Sequence, residues 1–225
     1  MAAARFIPLL TAPGFLQMAI DRWLLDRCAA GEWSRVLRFY QWDPPALSLG
    51  YSQHHWPIHW QSLHWQDQPL SLVRRPTGGR GVLHQGDLCY ALVTQPGAKP
   101  GEKANRSQTY TDLCRFLQLG WQQLGFPLHY GEAHLSPRTH HRTENCFALT
   151  TPADLRLDTG YKWIGSAQRW RSGSPETVLQ HGSMRLHPDP ELWQAVFGQP
   201  LGDPPAVAKI PTPETIESTL LHAAE

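Results

Sequence analysis

Apolar and polar positions change their spacing several times along the chain, and each change marks a predicted element. Phe6 to Leu10 is an apolar run of strand length, and Thr11 ahead of Pro13 marks a helix start with proline in its first turn. The spacing puts Leu16, Ala19, Ile20, Trp23 and Leu24 on one helical face, with Gln17, Asp21 and Arg22 turned away and Gly31 closing the segment. Arg35 to Trp42 and Ala46 to Tyr51 read as strands parted by Pro44-Pro45, which cannot continue a ladder. In 54–70, Trp56 and Trp60, and likewise His55 and His59, recur at helical spacing, which predicts an amphipathic helix with Pro57 in its first turn. Leu70 to Val73 and Leu88 to Val93 are strand-like runs, and Thr77-Gly78-Gly79 between them predicts a hairpin bend.

Further on, 94–107 holds Pro96, Gly97, Pro100 and Gly101 and reads as a loop. Tyr110, Leu113, Cys114, Leu117, Trp121 and Leu124 define one face of a long helix that Gly125 and Pro127 end. After a polar stretch, 132–143, the pattern returns to strands: Cys146 to Thr150, Ala153 to Leu157, Lys162 to Trp170 and Val178 to Met184, with a turn at Asp158-Thr159-Gly160. A period of two places Lys162, Ile164, Ser166 and Gln168 on one face. Trp193 to Phe197 and Glu214 to Ala223 are predicted as short helices. The sum is an α/β (α+β) chain forming one domain over 1–225, with short helices in 185–225.

Composition narrows the classes. The formal net charge of +1 lacks the global field of a nucleic-acid binder, and no segment reaches membrane-spanning length. Cys28, Cys89, Cys114 and Cys146 show no Cys-x-x-Cys pair, the N-terminus does not read as a signal peptide, and a cytoplasmic location is expected. Basic charge is nearly all arginine, since Lys99, Lys103, Lys162 and Lys209 are the only lysines; a lysine within a strand therefore stands out.

Candidate chemistry sits in two places. Around Gly78 and Gly79 the backbone is bare of side chains, and Arg74, Arg75, Arg80 and His84 surround it; the stretch is either a plain surface hairpin or a cradle for a ligand. Cys146 and Lys162 lie 16 positions apart on strands that a hairpin could bring together. A nearby ammonium favours a thiolate and a neutral amine can take the thiol proton, so the pair is either an activated nucleophile or a buried inert cysteine and a surface lysine. His134, Arg138, His140, His141 and Arg142 form either a solvated loop or a cationic landing site. The His55/His59 pair has no acidic or cysteine ligand beside it, so no metal is expected; P-loop, Rossmann and Gly-x-Ser-x-Gly signatures are absent from the sequence.

Four blocks resemble the lipoate-protein ligase A and octanoyltransferase superfamily: 42–51 (Trp42-Asp43-Pro44-Pro45 through Gly50-Tyr51), 74–84 (Arg74-Arg75-Pro76-Thr77-Gly78-Gly79 through His84), Lys162-Trp163-Ile164-Gly165-Ser166-Ala167-Gln168, and Leu179-Gln180-His181-Gly182-Ser183. The resemblance implies a biotin/lipoate ligase-like fold, a curved mixed sheet packed with helices, with an acyl tunnel between the glycine turn and the Gly-Ser-Ala-Gln strand. It implies substrate contacts from Arg74, Arg75, Gly78, Gly79, His84, Gly165, Ser166, Ala167 and Gln168. Cys146-Phe147 matches the Cys-Phe segment of the cysteine-dependent octanoyltransferases, which implies Cys146 as nucleophile and Lys162 as its partner. Octanoyl acyl carrier protein is then the donor, a lipoyl-domain protein such as the glycine-cleavage H protein the acceptor, and no cofactor is required. The alternatives are a lipoate-protein ligase using ATP and Mg, an amidotransferase between lipoyl domains, and a non-catalytic acyl- or carrier-binding module. Gln85 stands where many relatives carry Asp.

Overall fold

In a computed structural model, residues 4–96, 104–131, 145–148, 154–173, 176–202 and 209–225 are described. The strands are β1 (Ala4–Ala12), β2 (Arg35–Trp42), β3 (Ala46–Leu49), β4 (His64–Trp65), β5 (Gln68–Pro69), β6 (Ser71–Arg74), β7 (Val82–His84), β8 (Asp87–Thr94), β9 (His129–Tyr130), β10 (Leu155–Arg156), β11 (Lys162–Arg171) and β12 (Thr177–Arg185). The helices are α1 (Gly14–Ala29), α2 (Arg106–Gln123), α3 (Pro190–Phe197) and α4 (Pro213–Ala224). None of them is long and apolar enough to cross a membrane.

Apolar residues on both faces of β2 and β8 explain the layering. Leu37, Phe39, Leu88, Tyr90 and Leu92 enter one cluster with α2 and α4, while Val36, Tyr40, Cys89, Ala91 and Val93 enter another with α1. A sheet buried on both sides results, in the order β1-β2-β8-β12-β11-β10-β9. Its pairs are antiparallel except β1 with β2, which the α1 crossover joins in parallel. A smaller sheet, β6-β3-β7, packs with α3 in a third cluster around Leu47, Trp60 and Trp193. On one face of the large sheet α2 meets α4 closely: a Cβ on Gly120 would strike Leu220.

Three local expectations are overturned. The glycine stretch is no hairpin bend, because β6 and β7 flank β3 on opposite sides, one parallel and one antiparallel to it, and 88–93 belongs to the other sheet. Non-local bonds outweigh the local turn: Tyr51 N donates to the Thr77 carbonyl at 2.8 Å, and a Cβ on Gly50 would collide with the Gly79 carbonyl. The helix expected over 54–70 shrinks to one 3₁₀ turn, Ile58–Gln61, followed by the β4–β5 hairpin, whose turn residues Gln66 and Asp67 take φ of 48° and 62°. Trp60 anchors this segment by donating its indole N–H to the Val196 carbonyl at 2.7 Å. The strand expected from Cys146 begins as a 3₁₀ turn, Cys146–Ala148; the rest of it, like 97–103 and 132–143, lies outside the described residues.

The fourth correction concerns α1, whose buried face carries Gln17, Met18, Asp21, Leu24, Leu25 and Cys28, while Leu16 and Trp23 are exposed. Arg38, in the middle of β2 and fully buried, is the cause. Its guanidinium donates to Asp21 Oδ1 at 2.9 and 2.6 Å and to Gln17 Oε1 and the Gln17 carbonyl at 2.7 Å each. Gln17 Nε2 donates onward to the Leu10 and Gln41 carbonyls. A buried charge needs a partner of this quality, so the helix turns its polar side inward. Asp21 Oδ2 in turn lies 2.7 Å from His181 Nδ1 on β12, and His181 Nε2 lies 2.6 Å from Thr77 Oγ1 in the glycine loop. Burial lowers the pKa of His181 from 6.5 despite the carboxylate beside it, so the ring is neutral: Nδ1–H donates to Asp21 and Nε2 accepts from Thr77. On Asp21, burial alone raises the pKa, and Arg38 and then His181 outweigh it, leaving it below 3.8.

Arg38→Ala is expected to destabilise the chain by about 3–5 kcal/mol, as the loss of one partner of a buried pair does, read from urea unfolding. Stability is also expected to fall as pH drops below 6.5, because the unfolded chain then takes up a proton that folded His181 declines. The difference in urea midpoint between pH 7.5 and 5.5, both about one unit from the ordinary histidine range, should shrink in His181→Asn.

Candidate active site

Arg75 builds the site by winding the glycine loop around its own guanidinium. Its five N–H groups meet five oxygen contacts: Gly78 O at 3.2 and 2.8 Å, Arg80 O at 2.6 Å, Ser48 O at 2.8 Å and Ser48 Oγ at 3.0 Å. Burial draws its pKa down from 12.5. Gly79, at φ +98°, has no room for a side chain, since a Cβ would lie 2.7 Å from Arg75 Nη2, and the same point is 3.8 Å from Cys146 Sγ. The loop backbone thus faces the thiol directly. A Cβ on Gly78 would meet open space.

Cys146 is pinned on both sides. Its N–H donates to the Gly81 carbonyl at 3.0 Å, and the next N–H, of Phe147, donates to Asn145 Oδ1 at 2.9 Å. It is half-buried, whereas Cys28, Cys89 and Cys114 are fully buried. Burial pushes the Cys28 thiol up to about 11, that of Cys114 up to about 12, and that of Cys89 well above its ordinary value, so all three stay protonated.

Lys162 Nζ lies 2.9 Å from the Cys146 carbonyl oxygen and 3.0 Å from Asp154 Oδ2, with both side chains of the ion pair buried. The even alternation expected along β11 breaks at its start: Ile164 joins Trp163 in the α2 cluster, while Lys162 keeps company with Gly165. The β10–β11 register shifts at this place. A Cβ on Gly165 would stand 3.2 Å from Lys162 Cε and 3.5 Å from Phe147, so the glycine clears space for the lysine.

Cys146, Lys162 and the glycine loop open onto one cavity of about 410 Å³. Arg75, Gly78, Gly79, His84, Gly165, Ser166, Ala167 and Gln168 also line it, so ten of the eleven residues singled out in the sequence come together. Arg74 does not. It faces the opposite way, donating to the Gly50, Tyr51 and Gln53 carbonyls, and fastens the turn after β3. His84 forms wall: stacked on Trp42 at 3.9 Å, it places Nε2 2.9 Å from Ser48 Oγ and Nδ1 2.7 Å from Asp87 Oδ2. The same carboxylate oxygen accepts from Ser183 at 2.7 Å and from the Cys89 thiol at 3.2 Å. Gln85, by contrast, turns away and accepts the Asp189 N–H ahead of α3. Ser166 and Gln168 are tied through Tyr90 and Gln180, at 2.8 Å for each side-chain contact.

Several members of the site were not foreseen from the sequence. Asp154, Asp87 and Ser48 sit inside or beside short apolar runs, where a polar residue reads as the solvent side of a strand. The one signal available is indirect: each faces a cation or histidine of the expected site, Asp154 on Lys162, Asp87 on His84 and Ser48 on Arg75.

The chain is similar to several known proteins. A family model described as the lipoyl protein ligase A/B catalytic domain matches residues 13–213. Octanoyltransferase LipM of Geobacillus kaustophilus is 33% identical over 201 residues, covering 87% of this chain and 70% of that one. The protein of the same name from Moorella thermoacetica is 35% identical over 173 residues, covering 76% and 61%. The chain therefore spans between 61% and 70% of the length of these two curated relatives. Among solved structures, a lipoate-protein ligase A bound with ATP superposes with a TM-score of 0.73 at 19% identity, over 98% of this chain and 83% of that one. A putative lipoate protein ligase from T. acidophilum with bound lipoic acid gives 0.70 at 18%, over 99% and 84%. At such identities the structures speak for the fold, a mixed lipoate-ligase sheet with helices on it. With 201 of its 225 residues inside the family model, the chain belongs to the lipoyl protein ligase A/B catalytic-domain family.

Proposed function

We propose that this chain is an octanoyltransferase of protein lipoylation, with Cys146 as the acyl-carrying nucleophile. The observation that carries the reading is the placement of the one half-exposed thiol among the described cysteines on the wall of an acyl-sized cavity, against bare glycine backbone and beside Lys162. The LipM relatives, named octanoyltransferases, support the same reaction.

In the first step the Cys146 sulfur attacks the carbonyl carbon of octanoyl acyl carrier protein, a new thioester forms, and the carrier leaves as its thiol with the proton that Cys146 gives up. In the second, a lysine amine of a lipoyl-domain protein, such as the glycine-cleavage H protein, attacks the acyl-enzyme. An amide forms, and the amine proton returns to the Cys146 sulfur. Neither step consumes ATP. Lys162, held by Asp154, supplies a fixed cation where negative charge grows on the carbonyl oxygen, and through the Cys146 carbonyl it also sets the position of the nucleophile. Burying the six methylenes of the chain contributes about 5 kcal/mol at ~0.8 kcal/mol each.

Incubation with octanoyl acyl carrier protein in the absence of ATP is expected to add the mass of one octanoyl group to the intact protein, and Cys146→Ala is expected to gain none. Octanoylation of the acceptor that persists in Cys146→Ala, or that requires ATP, would sink the reading and favour the ligase. Lys162→Met should form the acyl-enzyme about 10²–10³-fold more slowly while remaining folded, measured by rapid quench and circular dichroism.

A further inference from the structure

Just outside the acyl cavity lies a second, open groove of about 1070 Å³. The two are adjacent. Met18 and Arg75 line both, and β11 runs from one into the other, with Gly165 to Gln168 in the cavity and Arg169 onward in the groove. The groove has an apolar floor that includes Phe15 and Trp170, and Phe15 is 70% exposed. Its charge is one-sided. Arg22, Arg74, Arg169 and Arg171 stand around it against a single acid, Asp26, which Arg171 already neutralises. Arg22 and Arg169 have no carboxylate partner among the described residues, and Arg169 is held instead over the exposed Tyr51 ring at 4.8 Å. In a chain of net charge +1 this is a local excess, not a general property of the surface.

We propose that this groove docks the acyl donor, an anionic carrier protein that presents its thioester on a phosphate-bearing arm, and that Arg22 and Arg169 grip the carrier's acidic face and the arm's phosphate. The proposal rests on the acyl-transfer reading above and adds to it the route by which the donor arrives. Guanidinium groups match phosphate and carboxylate oxygens in paired hydrogen bonds, and the apolar floor suits the alkyl part of such an arm. The acceptor fits worse, because its reacting group is a lysine, and an arginine-rimmed approach repels an ammonium.

The test is the double charge reversal Arg22→Glu/Arg169→Glu, two exposed positions outside the catalytic machinery. Binding of fluorescently labelled holo-acyl carrier protein, followed by anisotropy, is expected to weaken at least about tenfold and to lose the salt sensitivity of the unaltered protein. The rate of acyl-enzyme formation should fall with octanoyl acyl carrier protein and stay unchanged with octanoyl-N-acetylcysteamine, a thioester with neither phosphate nor protein. Unchanged carrier binding, an equal loss with both donors, or weakened binding of the lipoyl domain in place of the carrier would each overturn the proposal. Arginine-dependent carrier binding by a protein that never gains octanoyl mass would uphold the groove and refute the acyl-transfer reading instead.

Discussion

The contact between Arg38 and Asp21 is the constraint from which the rest of the arrangement follows. Both side chains are wholly inaccessible to water, so neither ion could be accommodated without the other and without hydrogen bonds for the remaining donors and acceptors. Meeting that demand draws in Gln17 from the same helix, His181 from β12 and, through His181, Thr77 from the glycine loop. One charged pair thus fixes the rotation of α1 on the sheet and reaches the loop that forms the cavity wall.

A second relay of the same composition runs from Asp87 through His84 to Ser48 and ends on Arg75. In both, a carboxylate orients an imidazole whose other nitrogen meets a hydroxyl, and each hydroxyl belongs to the glycine loop or touches the arginine that gathers it. The loop is therefore held by polar bonds, while at Gly78 and Gly79 it offers bare backbone to the cavity. Fixed dipoles and cations around a bare backbone are the form of preorganisation that acyl transfer requires, since they need no rearrangement when charge develops on the carbonyl oxygen.

Much of this was legible in the sequence, and the exceptions share one cause. The long strands were read closely, from Arg35–Trp42 to Lys162–Arg171, because runs of β-formers of strand length bounded by turn residues leave little ambiguity. The face of α1 is rotated from the expected one, keeping Leu24 buried but exposing Leu16 and Trp23, because the periodicity of apolar residues assumes that polar ones seek water, and Gln17 and Asp21 seek Arg38. An arginine set within the apolar run of β2 was the clue. The glycine stretch looked like a hairpin because its real partners, Gly50 and Tyr51, lie more than twenty residues away. Within the site, the four family-like blocks pointed to residues that line the cavity, Arg74 excepted. The residues behind them, Asp154 and Asp87 above all, carry no local signature, since their role exists only once Lys162 and His84 have been folded against them.

The unequal burial of the cysteines has a consequence for chemical biology. Three sulfurs are sealed in the interior and held as thiols, while the fourth opens onto a greasy chamber. A mild electrophile carrying a short alkyl tail would therefore meet a single competent target on the native protein, and the occupancy of that target by an inhibitor could be counted in a crude extract without purifying the enzyme.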